Sequence, residues 1–289
     1  MKMKNSLFIL LFIVIGLGII FYNSNLFSWF SFGDHDNQAS VNKNTELIEI
    51  DVSSVKAKII PEDRNDLEAT LDGKGKLIVK ENRDSIEVKV KKKWFQWFSF
   101  NNKSQLTIYI PEDYERDMEI ELGSGNLEFS GKSQNTPFKL NELSVEIGSG
   151  KANLKNITAK QFDQEVSSGD INIDSLITTD GTIDVSSGDI KISRYTGPLK
   201  AKVSSGFLKV QMDELSDPIQ IDVSSGSAKL DLPSNADFHL KGKVSSGDIN
   251  CNFPLITKKV SGNKSIEGTH GSGKNRIDLD LSSGYIDIY

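Results

Sequence analysis

The sequence predicts an all-β, repetitive β-solenoid (β-helix-like) preceded by one N-terminal transmembrane helix. Three observations carry this. A Ser-Ser-Gly corner recurs: VSSGDINI at 166–173, VSSGDIKI at 185–192, VSSGFLKV at 203–210, VSSGDIN at 244–250 and LSSGYIDI at 281–288. Apolar residues alternate on both sides of it, as in Ile183, Val185, Ile190 and Ile192, which is strand periodicity with one face buried. The chain opens on an apolar tract, and no helical run of ten residues follows it.

The opening tract sets the compartment. After Lys2 and Lys4 come sixteen uncharged residues, Leu7 to Tyr22. This is a little short of the ~20 that span a bilayer, so a cleaved signal peptide is the competing reading. An uncleaved anchor is favoured because no small-x-small cleavage site follows, and no cysteine that would carry a lipid. The aromatic run LFSWFSF at 26–32 suits the membrane interface. The expected organisation is a cytoplasmic tail at 1–5, a signal-anchor helix at 6–24, a juxtamembrane linker at 25–44 and an extracytoplasmic domain at 45–289. With one cysteine, Cys251, no intrachain disulfide can form, which fits a Gram-positive bacterial surface.

Charge narrows the partners. Residues 34–103 hold 13 basic and 13 acidic side chains, whereas 104–289 carry 19 − 27 = −8. Such a balance argues against nucleic acid, whose phosphates need a basic footprint.

The repeat then follows from its glycines: Gly125, Gly150, Gly169, Gly188, Gly206, Gly226, Gly247 and Gly284. Their spacings are 25, 19, 19, 18, 20, 21 and 37, the last close to two further steps. A period near twenty marks stacked supersecondary units, each too small to bury its own apolar face. Glycine is expected to turn the corner through positive φ, and serine to bond nearby backbone groups. A second frame, Pro61 to Gly75, Pro111 to Gly125 and Pro233 to Gly247, each fourteen apart, extends the architecture back to about residue 45. EIDVSSVKAKII (49–60) reads as an opening coil with Val55 in the glycine's place.

One stretch departs from the repeat. Ile86, Val88 and Val90 alternate as one strand and Leu106, Ile108 and Ile110 as its partner, so 91–104 reads as a hairpin insertion. It carries Lys91, Lys92 and Lys93, then Trp94, Phe95, Trp97, Phe98 and Phe100. Aromatics of both strand parities cannot share a one-sided core. Two readings fit: a membrane-interface tip with lysines on anionic lipid, and a hairpin folded back as a cap over the first coil, of which the cap is slightly favoured.

No residue set asks for catalysis. A serine nucleophile needs one base and one oxyanion hole, but the Ser-Ser-Gly motif recurs and only His35, His239 and His270 are available. Asp170, Asp189 and Asp248 follow corners and stacking would align the first two as a carboxylate ladder, but the calcium-binding G-G-x-G-x-D repeat is missing, so they read as solvated turn residues. His270 reads as a loop residue and Cys251 as a small core or turn residue. No metal site and no cofactor is expected.

The IPED…LGSGNLEF segment, the chain of VSSGDI coils and the closing GSGKNRIDLDLSSGYIDI resemble the bacterial "putative adhesin" domains of unknown function, over roughly 45–289. With the N-terminal tract, the whole is similar to LiaG-type membrane-anchored proteins encoded beside cell-envelope stress systems. The resemblance implies adhesion or an envelope-stress response and transfers no catalytic residue. The expected function is a membrane-anchored, non-enzymatic surface protein that presents its solenoid to cell-wall polymer or an envelope protein. The alternatives are a polysaccharide-acting enzyme on a β-helix and a self-assembling scaffold that joins through the open edge of the last strand, which ends at Tyr289.

Overall fold

Alternation builds the strands as expected. In Asp189–Thr196, Ile190 and Ile192 are buried while Asp189 and Lys191 face water. The computed structural model describes residues 37–91, 104–259 and 265–289, which form one unit, Asn37–Tyr289, with strands and no helix. The anchor at 6–24, the linker aromatics, and Lys92, Lys93, Trp94, Phe95, Trp97, Phe98 and Phe100 lie outside the described residues.

In chain order the strands are β1 (Gln38–Ser40), β2 (Leu47–Glu62), β3 (Asp66–Asp72), β4 (Lys76–Glu81), β5 (Ser85–Lys91), β6 (Gln105–Pro111) and β7 (Asp117–Ser130). Next come β8 (Phe138–Ile147), β9 (Lys151–Val166), β10 (Asp170–Val185), β11 (Asp189–Thr196), β12 (Leu199–Val203), β13 (Phe207–Met212) and β14 (Ile219–Val223). The chain closes with β15 (Ser227–Asp231), β16 (Phe238–Val244), β17 (Asp248–Cys251), β18 (Ile256–Lys259), β19 (Ser265–His270), β20 (Asn275–Leu281) and β21 (Tyr285–Ile288).

Parallel pairing stacks these into two walls. The first wall holds the strands before each corner: β5, β2, β7, β8, β9, β10, β12, β14, β20 and β16. The second holds those after it: β6, β2, β7, β9, β10, β11, β13, β15, β21 and β17. Long strands such as β2, β9 and β10 serve both walls. Inward residues from both meet in one core, with Phe129, Phe162 and Tyr195 among its largest members.

The corners correct the expected role of glycine. Positive φ occurs at Gly125 (119°), Gly247 (105°) and Gly284 (110°), but not at Gly150, Gly169, Gly188, Gly206 or Gly226. Close stacking is what excludes a side chain there. A Cβ on Gly188 would lie 2.3 Å from the Gly169 carbonyl oxygen, and one on Gly206 would lie 2.2 Å from that of Gly188. The glycines form a column in which each backbone rests on the one below, with Val55 at its foot beside Gly125. Serine's expected role is corrected as well. Corner amides already donate to the coil beneath, Ser186 to Val166 O (2.8 Å) and Ser187 to Ser167 O (2.8 Å). Among the described residues, corner hydroxyl bonds are confined to the first coils, Ser54 with Ser124 and Ser124 to Ser53 O.

A second corner carries no glycine. Asn156, Ser175 and Arg194, nineteen apart, sit in left-handed backbone (φ 53°, 69° and 56°) at matching levels of β9, β10 and β11. A polar residue there bends each coil toward a short third wall, where Ile157, Leu176 and Tyr195 stack.

Both ends are threaded, which corrects four further expectations. β5 and β6 are not partners of each other. They pair with successive halves of β2, so they are the two sides of one outer coil. Residues 66–81 are not a regular coil either, because β3 and β4 double back antiparallel on β6 and β5 as a cap. At the far end, β20 and β21 slot between β14/β15 and β16/β17, so the strand before Tyr289 is paired on both edges and is not open. The 37-residue spacing holds the antiparallel pair β18–β19 instead of another coil.

Candidate functional site

The outer face of the first wall is set by the residue that precedes the last apolar side chain before each corner. In five consecutive coils it is acidic: Asp51, Glu121, Glu146, Glu165 and Asp184, each in register with the next. Neighbouring strands lie ~4.8 Å apart, so this is a ladder of like charge. A parallel row adds Glu87, Glu49 and Glu119, then Asp163 beyond Ser144. Lys89 is the cation within this block, pairing with Asp51 (3.6 Å) and Glu87. Partial burial, followed by repulsion from neighbouring carboxylates, raises the pKa values of Glu49, Glu121 and Glu146 above the ordinary value. Glu142 at the margin is raised for the same reasons, with Asp117 and Asp163 the strongest repellers. Like charges placed directly opposite destabilise a sheet. The face can attract cations, and it lies open to solvent.

The second wall has a different outer face. Lys58, Glu128, Asn153, Asn172, Lys191, Lys209 and Lys229 stand in one register row from β2 to β15.

The residues singled out in the sequence scatter over this frame. Asp170 and Asp189 are in register, but Asp170 is engaged by Lys151 (2.7 Å), and Asp248 faces Tyr285. Among the described residues no group of three or more His, Cys, Asp or Glu side chains could hold a metal ion. His239 Nδ1 meets the Thr269 hydroxyl at 3.0 Å. His270 is the last residue of β19 and not a loop residue; its Nδ1 donates to Pro254 O (2.9 Å), and its ring packs on Phe238 and Phe253. Cys251 is half-buried at the end of β17, where burial pushes its thiol pKa up. His35 lies outside the described residues, and Lys91 is exposed at the end of β5. The eight corner glycines share the edge between the walls.

A further group was not singled out. The Asp237 carboxylate accepts from the Ser272 hydroxyl (2.7 Å) and the amides of Gly273 (2.6 Å) and Lys274 (3.0 Å), which holds its pKa down at about 2. It pins the turn that leads into β20. The acidic ladder was also missed, although its parts stand in the sequence: EIDV, EIEL, SVEI, DQEV and TIDV each end in a carboxylate and an apolar residue directly before a corner.

The family model described as Toastrack DUF4097 matches residues 45–289. Among solved structures, a "putative cell adhesion protein" from Clostridium sporogenes ATCC 15579 is 15% identical with a TM-score of 0.25, over 87% of this chain and 96% of that one. A "putative adhesin" from Parabacteroides distasonis ATCC 8503 is 14% identical with a TM-score of 0.44, over 87% of this chain and 95% of that one. No curated protein matches the chain.

Proposed function

The chain belongs to the Toastrack DUF4097 family, and we propose that it is a non-enzymatic surface protein, tethered by residues 6–24 and exposing residues 45–289 outside the cell. In this reading it acts in adhesion or interaction at the envelope, as part of an envelope-stress response. The observation that carries it is the acidic block on the first wall. Five carboxylates in register are kept at a cost to the fold on a solvent-facing sheet, which is the form of an interaction surface for a cationic partner. Catalytic carboxylates would be held in a cleft with distinct environments, whereas these repeat one environment from coil to coil.

Topology and surface are tested together. A reporter fused after Tyr289 is expected to be active outside, with the full-length protein in the membrane fraction. A shortened product in the medium would replace the anchor with a cleaved signal. Binding of a polylysine probe should fall as salt rises and should be lost in E121Q/E146Q/E165Q, and binding unchanged by that variant would remove the acidic face from the reading.

A further inference from the structure

The lysine row of the second wall begins at a groove of about 480 Å³. Ile60 and Pro61 give it an apolar floor, with Lys58, Lys132 and Lys155 around it and Ser130 and Asn153 as polar contacts. Ser130 is directly opposite Lys155, and its small side chain leaves the dip between that lysine and Ile60. The one carboxylate in the lining, Glu128, is engaged by Lys56 at 3.3 Å, and Lys132 is engaged by Glu112. The lining therefore carries three cations against one anion, on a chain whose net charge is −6.

From this groove the row runs on without a break. Asn172 Nδ2 donates to Asn153 Oδ1 (3.4 Å), which bridges the groove to Lys191, Lys209 and Lys229 on successive strands. Six strand steps separate Lys58 from Lys229, a length of ~29 Å at ~4.8 Å each. Aromatic rings stand beside the far end. Lys209 Nζ lies 5.9 Å from the Tyr289 ring centroid and Lys229 Nζ 5.8 Å from that of Tyr285, which is 41% exposed. Nearby carboxylates are partly neutralised, Asp170 by Lys151 and Asp174 by Arg194. Lys229 is engaged by the in-register Asp287 at 3.8 Å, whereas Lys58, Lys155, Lys191 and Lys209 make no ion pair among the described residues, and Asp189 and Asp231 stand unpaired along the margin.

We propose that this face is the binding track of a linear glycan bearing anionic groups, seated in the groove at Lys58 and Lys155 and running along the lysine ladder. The track's length calls for a polymer, its lysines for carboxylate or phosphate substituents, and its apolar floor and tyrosines for the hydrocarbon faces of sugar rings. The proposal rests on the surface reading above only for the place where such a polymer would be met.

The test uses purified full-length protein in detergent. The probes are an oligogalacturonate long enough to span the track, a glycerol-phosphate polymer substituted with sugars, an uncharged maltooligosaccharide of matched length, and oligoglutamate. At least one anionic glycan should bind, and preference between the first two identifies carboxylate or phosphate as the native charge. K58Q/K155Q and K191Q/K209Q should each weaken binding by about tenfold, as expected for two lost surface charge contacts. The Lys→Arg equivalents should retain binding, and D189N/D231N should tighten it. Failure of both anionic glycans to bind would overturn the proposal. So would oligoglutamate binding as tightly as the glycans, or Lys→Gln variants with unchanged affinity and intact melting. Glycan binding that persists when the topology reporter stays inside would overturn the surface reading and leave the track standing.

Discussion

The first wall repeats one backbone from β2 to β16, yet its outer charges obey opposite rules in its two halves. From Asp51 to Asp184 each carboxylate faces another carboxylate. Beyond Asp184 the same row reads Lys202, Asp222, Asp280 and Lys243, so that most neighbours there are of opposite sign. Salt screens over about 8 Å under physiological conditions, so carboxylates one strand apart still repel. The far half shows that this fold accommodates pairing. Apart from Lys89, which meets Asp51 and Glu87, the near half forgoes it.

The largest expected effect should ignore this division. Gly188→Ala and Gly226→Ala each drive a Cβ to within 2.3 Å of the carbonyl oxygen below, at Gly169 and Gly206. Each should cost roughly 3 kcal/mol in chemical denaturation, because backbone must move. A markedly larger loss at one of the two would show that the halves differ in packing as well as in charge.

A middling effect should separate them. E121Q/E146Q/E165Q removes three like charges from the near ladder and should stabilise by about 1 kcal/mol, whereas Asp222→Asn in the far half, which loses the facing Lys202, should be neutral or destabilise by about 0.5 kcal/mol. Both variants moving stability in the same direction would break the comparison.

The smallest effect is a pH profile. Glu49, Glu121, Glu142 and Glu146 have raised folded pKa values, so the folded state binds protons more readily than the unfolded chain there. Stability should therefore rise as pH falls from neutral toward 4.5. Asp237 is shifted the other way, as is Asp66, whose pKa the hydrogen-bonded Arg64 guanidinium lowers. Their contribution is present above the unfolded value of 3.8 and is lost on further acidification, to about pH 2 for Asp237. Denaturation midpoints should pass through a maximum near pH 4–5, which E121Q/E146Q/E165Q flattens on its neutral side and Asp237→Asn on its acid side. A monotonic fall from pH 7 would sink this account.

How much of this was readable without coordinates depends on how local the cause is. The period, the alternation and the corner are local, and VSSGDI repeated at nineteen residues suffices for both walls. The reason for glycine was not local: close stacking on Gly169 looks the same in sequence as positive φ at Gly188. The second corner was hidden because Asn156, Ser175 and Arg194 share backbone shape and no chemistry. Strand order at the ends was hidden as well. Nothing within IDLDLSSGYIDI says that it slots between Ile219–Val223 and Phe238–Val244. The acidic ladder becomes visible only once the coils are set in register, for Asp51 and Glu121 are seventy residues apart.

The threading of β2 has a mechanical consequence. In a plain stack the first coil would be an edge, and a pull on the chain ahead of it would peel its ladder one bond at a time. Here β2 is bonded to β5 and β6 on one side and to β7 on the other. Tension delivered through Glu46 therefore loads two ladders in shear at once, and neither can fail alone. A strand clamped in this way resists steady traction and gives way abruptly.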